Sequence, residues 1–140
     1  MAGHSLGGAT TTWTMSQDPR VRAAVNMDGT FFVPVPEQGL ERPFMLMGAG
    51  EVHEPGGPDF TWPRDWSRMP GWKRWLTLDG GDHDSFTDFP LWTRGSAREV
   101  EVTRAYVAAF MDRHLRGRPR PLLDGTSPAF PEVKFWNPGT

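Results

Sequence analysis

The tightest constraint on what this chain can fold into is the stretch Gly3-His4-Ser5-Leu6-Gly7-Gly8. A serine with glycine two residues to either side suits a sharp strand-to-helix reversal that holds the serine in a strained backbone conformation, costing about 1–3 kcal/mol. Its hydroxyl then stands clear of the chain. Glycine at positions 3 and 7 is expected to remove side chains that would collide inside the reversal. The helix that follows is expected to begin near Leu6, turning its unpaired N–H groups and positive dipole end toward any negative oxygen formed beside Ser5. The Leu6 N–H would be one such donor.

The rest of the chain supplies a context for that turn. Residues 9–16 read as a short helix whose threonines are mediocre formers and need packing, and Asp18-Pro19 ends it. Residues 21–27 form an apolar run of strand length that stops at the turn dipeptide Asp28-Gly29. A loop with Pro34, Pro36 and Gly39 leads to residues 43–48, a short strand apolar on both faces. Residues 50–70 are broken by Pro55, Pro58 and Pro63, with a short helix expected over 65–69. Residues 72–78 supply a third strand and run into Asp79-Gly80-Gly81-Asp82-His83. The clearest helix is the last: Ser96-x-x-Glu99 is a capping-box signature, Val100, Thr103, Val107, Phe110, Met111 and Leu115 form an apolar stripe, and Gly117 with Pro119 gives the stop. Strands separated by helical or loop crossovers, with polar groups gathering after their C-terminal ends, predict an α/β domain over residues 1–117 with an open, mostly parallel sheet and flanking helices. Residues 118–140 are proline-rich and without period, and are expected to form an extended tail laid over the domain or partly disordered.

A serine hydroxyl is a nucleophile at neutral pH only when an imidazole takes its proton, and the imidazole needs a carboxylate to fix its tautomer. The chain offers Ser5, Asp28 and His83 in that order, each next to an expected strand end. Of the four histidines, His4 lies inside the turn with its side chain expected to point away from the Ser5 hydroxyl. His53 falls in a Gly/Pro loop, and His114 sits near the end of the last helix, where the dipole accounts for it. Glu51, and more distantly Asp59, are alternative acids because they follow the next strand. Asp82, Asp84 and Asp88 surround His83, but one histidine with loop carboxylates lacks the spacing of a metal site.

The composition excludes some partners. A net charge of −2 with no run of basic residues argues against a nucleic-acid or polybasic membrane surface, although thirteen of the fifteen basic residues are arginine. No stretch of eighteen apolar residues predicts a transmembrane helix, and no signal-peptide pattern opens the chain, which leaves the compartment unassigned. Without cysteine there is no disulfide framework and no thiolate metal site.

Taken together, the Gly3–Gly8 stretch, Asp28 at a strand end about twenty residues later, and His83-Asp84-Ser85-Phe86-Thr87-Asp88-Phe89 resemble the platelet-activating factor acetylhydrolase branch of the α/β-hydrolases and related bacterial lipases. In that branch the acid follows the strand after the serine turn, and the catalytic histidine opens a His-x-x-Phe-x-Asp-Phe stretch. The resemblance therefore selects Asp28 over Glu51. It implies a calcium-independent serine esterase or lipase that uses no cofactor and cleaves short acyl esters, with a small-molecule ester or lipid as its partner. Phe31, Phe32 and Phe86 are expected to line the substrate pocket; most tryptophans are expected in the core. Only Met1 and Ala2 stand before Gly3, too few for the strand expected to lead into the turn, so the chain is expected to be the C-terminal portion of the fold with its N-terminal strands absent. A remnant without catalytic activity, or a piece active only beside a separate N-terminal half, is the alternative reading.

Overall fold

Four short strands each find a parallel neighbour, and that sets the architecture. The computed structural model describes residues 1–94 and 96–137. Strands β1 (Ala2–His4), β2 (Ala24–Met27), β3 (Phe44–Ala49) and β4 (Lys73–Leu78) lie side by side in chain order, all parallel. A fifth strand, β5 (Val133–Trp136), adds antiparallel to β4. The register runs Gly3 to Asn26, Asn26 to Leu46 and Leu46 to Trp75, so the strand ends line up along one edge.

The central strands β2 and β3 are buried on both faces, as the unbroken apolar run in β3 requires. Successive side chains alternate between faces. Val25, Met45, Met47, Leu76 and Leu78 pack with Val102, Tyr106, Ala109 and Phe110 of the long helix α5 (Arg98–Arg116). On the other face Ala24, Phe44, Leu46 and Trp75 meet Met15 of α1 (Leu6–Gln17) and Trp62 and Trp66 of α3 (Thr61–Trp66). Full burial of a side chain of this size stabilises by about 1.5–3 kcal/mol, so each face holds a sizeable core.

Helix α1 solves its threonine content locally. Thr10, Thr11 and Thr12 donate their hydroxyls to Gly7, Gly8 and Ala9 carbonyls, which lets Thr11 and Thr12 be buried without unpaired polar atoms. Its C-terminal end is held by Arg42, which donates to the carbonyls of Met15, Asp18 and Val21.

Several expectations are corrected. A strand does precede Ser5: β1 is three residues long because it takes in Gly3 and His4 of the turn itself. The Ser96-x-x-Glu99 capping box does not form, since α5 starts at Arg98 after Ala97 with no side-chain cap. Its C-terminal stop does form, with Gly117 in the left-handed region at φ 66°. The short helix expected over 65–69 lies earlier, as α3. Residues from Arg118 onward, expected as an extended tail, carry a 3₁₀ turn at Pro121–Leu123 and then β5, with Leu123 and Val133 in the core and the Trp136 indole donating to Thr77 Oγ1. Among the described residues no helix is long and apolar enough to cross a membrane.

Candidate active site

Ser5 is the hinge between β1 and α1, with φ 56° and ψ −125°. A serine at a helix N-cap ordinarily accepts a bond from the first turn. This one does not cap; its strained backbone aims the hydroxyl elsewhere. The close passage that permits the turn depends on Gly3 and Gly8. A Cβ on Gly3 would lie 2.2 Å from the Gly7 carbonyl oxygen, and one on Gly8 would lie 2.2 Å from Asn26 Oδ1. A Cβ on Gly7 would meet nothing within 4 Å, so the steric demand expected at position 7 falls on position 8.

Asp28 follows β2 in a second left-handed conformation, also φ 56°. Aspartate tolerates that region better than most residues. Buried Asn26 ties the turn by accepting from the Gly29 N–H at 2.9 Å and donating to the Gly29 carbonyl at 2.7 Å, and the Trp62 indole donates to the same carbonyl. A Cβ on Gly29 would be 2.3 Å from the Ser5 carbonyl oxygen, so the two turns sit in contact.

His83 follows β4 through Gly80, at φ 69°, and opens a 3₁₀ turn, His83–Phe86. Asp82 and Ser85 close a capping box around that turn, and Arg94 donates to Asp82 at 2.9 Å. His4 donates from Nε2 to the His83 carbonyl at 2.7 Å, with the two rings 4.5 Å apart. The histidine inside the serine turn therefore braces the histidine across the cleft.

These three turns converge. The Ser5 hydroxyl lies 2.9 Å from His83 Nε2, and His83 Nδ1 donates to Asp28 Oδ2 at 2.6 Å. The other Asp28 oxygen accepts from the Ala49 N–H at 2.7 Å and from His53 Nδ1 at 2.8 Å. Burial pushes the Asp28 carboxyl up, but the bonds from His53, Ala49 and His83 outweigh it and hold the group at about 2. It is ionised at any working pH, which is the state that fixes His83 with its proton on Nδ1 and its lone pair on Nε2.

The arrangement lines a cleft of about 570 Å³ with Ser5, Leu6, Asp28, Phe32, Glu51 and His83 among its walls. Leu6 opens α1, so its N–H has no intrahelical partner. Glu51 stands at the rim, exposed, while Asp28 occupies His83 Nδ1. Asp59 reaches the group only through His53. Of the expected pocket aromatics, Phe32 lines the cleft and is exposed, whereas Phe31 and Phe86 are buried core residues on opposite faces of the sheet. Phe31 and Phe86 are thus packing residues: the loop after Asp28 turns Phe31 onto Phe44 and Trp62, and the 3₁₀ turn puts Phe86 into the core on the α5 face. His114 is not a charged dipole partner either. Burial, then Arg113 and Arg74, push it down to about 4, and it packs as a neutral ring on Trp72 and Phe110.

A family description, platelet-activating factor acetylhydrolase isoform II, matches residues 1–100. The chain belongs to this family. A probable 1-alkyl-2-acetylglycerophosphocholine esterase of Arthroderma benhamiae is 30% identical over 165 residues, covering 96% of this chain and 42% of the relative. A solved ferulic acid esterase from Streptomyces cinnamoneus superposes with a TM-score of 0.87 at 45% identity, covering 97% of this chain and 46% of that one. The family member thus has an esterase's α/β-hydrolase fold and spans less than half the length of these relatives.

Proposed function

We propose that this family member is a serine hydrolase of carboxylic esters. Ser5 attacks the ester carbonyl as its proton passes to His83 Nε2. Asp28 stabilises the imidazolium, and the Leu6 N–H donates to the developing oxyanion. His83 then returns the proton to the departing alkoxide, leaving an acyl group on Ser5. Water, deprotonated by the same imidazole, releases the acid and restores the hydroxyl. The observation that carries the reading is the unbroken relay from Ser5 to His83 to Asp28, at 2.9 and 2.6 Å. The names of the two relatives, an alkyl-acetylglycerophosphocholine esterase and a ferulic acid esterase, support an ester of a small acid as the substrate class. The chemistry asks for no cofactor.

A fluorophosphonate probe should label Ser5 stoichiometrically in the intact protein, and Ser5→Ala should abolish both labelling and p-nitrophenyl acetate hydrolysis. Hydrolysis retained in Ser5→Ala refutes the assignment.

A second reading is that residues 1–140 hold the relay but turn over slowly without a further segment. It is favoured by β1 lying at the rim of the sheet and by an exposed apolar hollow of Leu6, Trp13, Phe32 and Val33 that meets the cleft at Leu6 and Phe32. One oxyanion donor is worth about 10²–10³ in turnover, so a further segment that supplied one would raise the rate by that factor. Comparing acylation rates of the 140-residue chain with those of a longer form decides between the two.

A further inference from the structure

The relay does not stop at Asp28. Behind it, His53 at the end of α2 (Gly50–His53) presents Nδ1 to Asp28 Oδ1 at 2.8 Å and Nε2 to Asp59 Oδ2 at 3.1 Å. All three side chains are 3–4% exposed. Asp59 is itself saturated. Its Oδ2 also accepts from the Thr30 hydroxyl at 2.7 Å, and its Oδ1 accepts from the Thr61 N–H and hydroxyl at 2.6 and 2.5 Å. The His53 ring lies 4.1 Å from Trp62, and its carbonyl accepts from the Trp75 indole at 2.7 Å. The ring has no freedom to turn away from either carboxylate.

A neutral imidazole has one N–H and one lone pair. Set between two carboxylates, either neutral tautomer would aim that lone pair at a buried anionic oxygen, whereas the doubly protonated ring donates to both. We propose that His53 is a positioning residue: as a buried imidazolium it ties Asp28 to Asp59, fixes the Asp28 carboxylate toward His83, and supplies the positive charge that limits how tightly His83 holds a proton. This rests on the reading of Ser5, His83 and Asp28 given above.

Charge counting states the consequence. With His53 charged, the four groups Asp28, Asp59, His53 and neutral His83 carry −1, and proton transfer from Ser5 to His83 brings them to zero. Without the His53 charge the same step runs from −2 to −1. Removing the His53 charge thus leaves the proton transfer beside one more unit of negative charge, which moves the pH range over which the relay works. The other charged groups around His53 include Glu51 on the same helix at the cleft rim, Glu54 directly after it at the helix C-cap, and Arg64 of α3, whose charge acts on Asp59. Burial pushes the His53 ring down, but its bonds to Asp28 and Asp59 outweigh this and raise it above the usual histidine range.

The test uses the intact protein with His53→Gln and His53→Phe. Gln keeps a donor for Asp28 without the charge; Phe keeps the packing against Trp62 without either. Both should move the acidic limb of kcat/KM for p-nitrophenyl acetate upward by about 0.5–1 pH unit. The value of kcat should fall about ten- to hundred-fold in Phe and less in Gln, with KM little changed. In nitrogen-15 NMR of the wild-type protein at pH 7, both His53 ring nitrogens should carry protons. An unmoved acidic limb in His53→Gln, or a neutral His53 ring, overturns the proposal while fluorophosphonate labelling of Ser5 still stands. Loss of labelling in the wild type overturns the underlying reading instead. If His53→Phe fails to fold, the Gln variant and the NMR signature still decide.

Discussion

Replacing Asp28 by Asn is the sharpest perturbation the geometry offers, because the carboxylate is asked to accept on both oxygens at once. Oδ2 takes the His83 Nδ1–H, and Oδ1 takes the Ala49 N–H and the His53 Nδ1–H. An amide has one accepting oxygen and one donating nitrogen. If the nitrogen faces His83, the imidazole must present its lone pair at Nδ1, so Nε2 carries the proton and cannot take one from Ser5 at 2.9 Å. If the nitrogen faces the other way, it confronts two buried donors with no acceptor between them. The first arrangement leaves the fold nearly intact with the wrong tautomer, which lowers kcat by about 10⁴, or about 5.5 kcal/mol of transition-state stabilisation. Hydrolysis of p-nitrophenyl acetate and the rate of fluorophosphonate labelling should fall together, because both need the serine proton removed. Glu51→Gln, at the exposed rim, should leave both within about threefold. Asp28→Asn within tenfold of wild type, or a collapse in Glu51→Gln instead, would refute the assignment of the acid.

Three other expectations follow from the same geometry. Gly8→Ala forces a Cβ to within 2.2 Å of Asn26 Oδ1 and should destabilise by about 1–3 kcal/mol in thermal unfolding, whereas Gly7→Ala meets nothing within 4 Å and should be neutral or stabilise by up to about 1 kcal/mol. Asp28, held at about 2, and Asp59, held well below its ordinary value, contribute stability that is complete above the unfolded value of 3.8 and lost as pH falls through the folded ones; an acid titration followed by circular dichroism should show that loss, reduced in Asp59→Asn. His114, pushed down to about 4, binds its proton more readily unfolded, so stability falls as pH drops from about 6.5 toward 4, and His114→Phe should flatten that part of the stability profile.

Much of the site could be read from residue type and order because each of its parts has a local signature. Ser5 is marked by glycines, Asp28 by a strand run ending in Asp-Gly, and His83 by a Gly-Gly turn after a strand. What escaped reading had long-range causes. His53 looked like a loop histidine because its two carboxylates lie 25 residues before it and 6 after it, and nothing local signals a ring held between them. Phe31 and Phe86 were expected in the pocket because proximity in sequence to Asp28 and His83 says nothing about which side of the chain faces the core. The capping box that matters is Asp82-x-x-Ser85, only one turn long, while the more familiar Ser96-x-x-Glu99 pattern goes unused because α5 begins two residues after Ser96. Strand β5 was hidden by flanking prolines; it exists because β4 offers an open edge, a tertiary opportunity that no local propensity records.

The strand order has an inheritance of its own. Each of four adjacent parallel strands ends by delivering one member of the cluster: Ser5 after β1, Asp28 after β2, His53 after β3 and His83 after β4. These four side chains are therefore pinned by the pleated scaffold, while the cleft wall also takes Thr30 and Phe32 from the connection after Asp28, which lies outside the strands. Substitution or insertion in that connection can reshape the cleft wall and leave the four turn residues where the strands put them. In such a frame, recognition and reactivity can diverge at different rates across descendants of one gene.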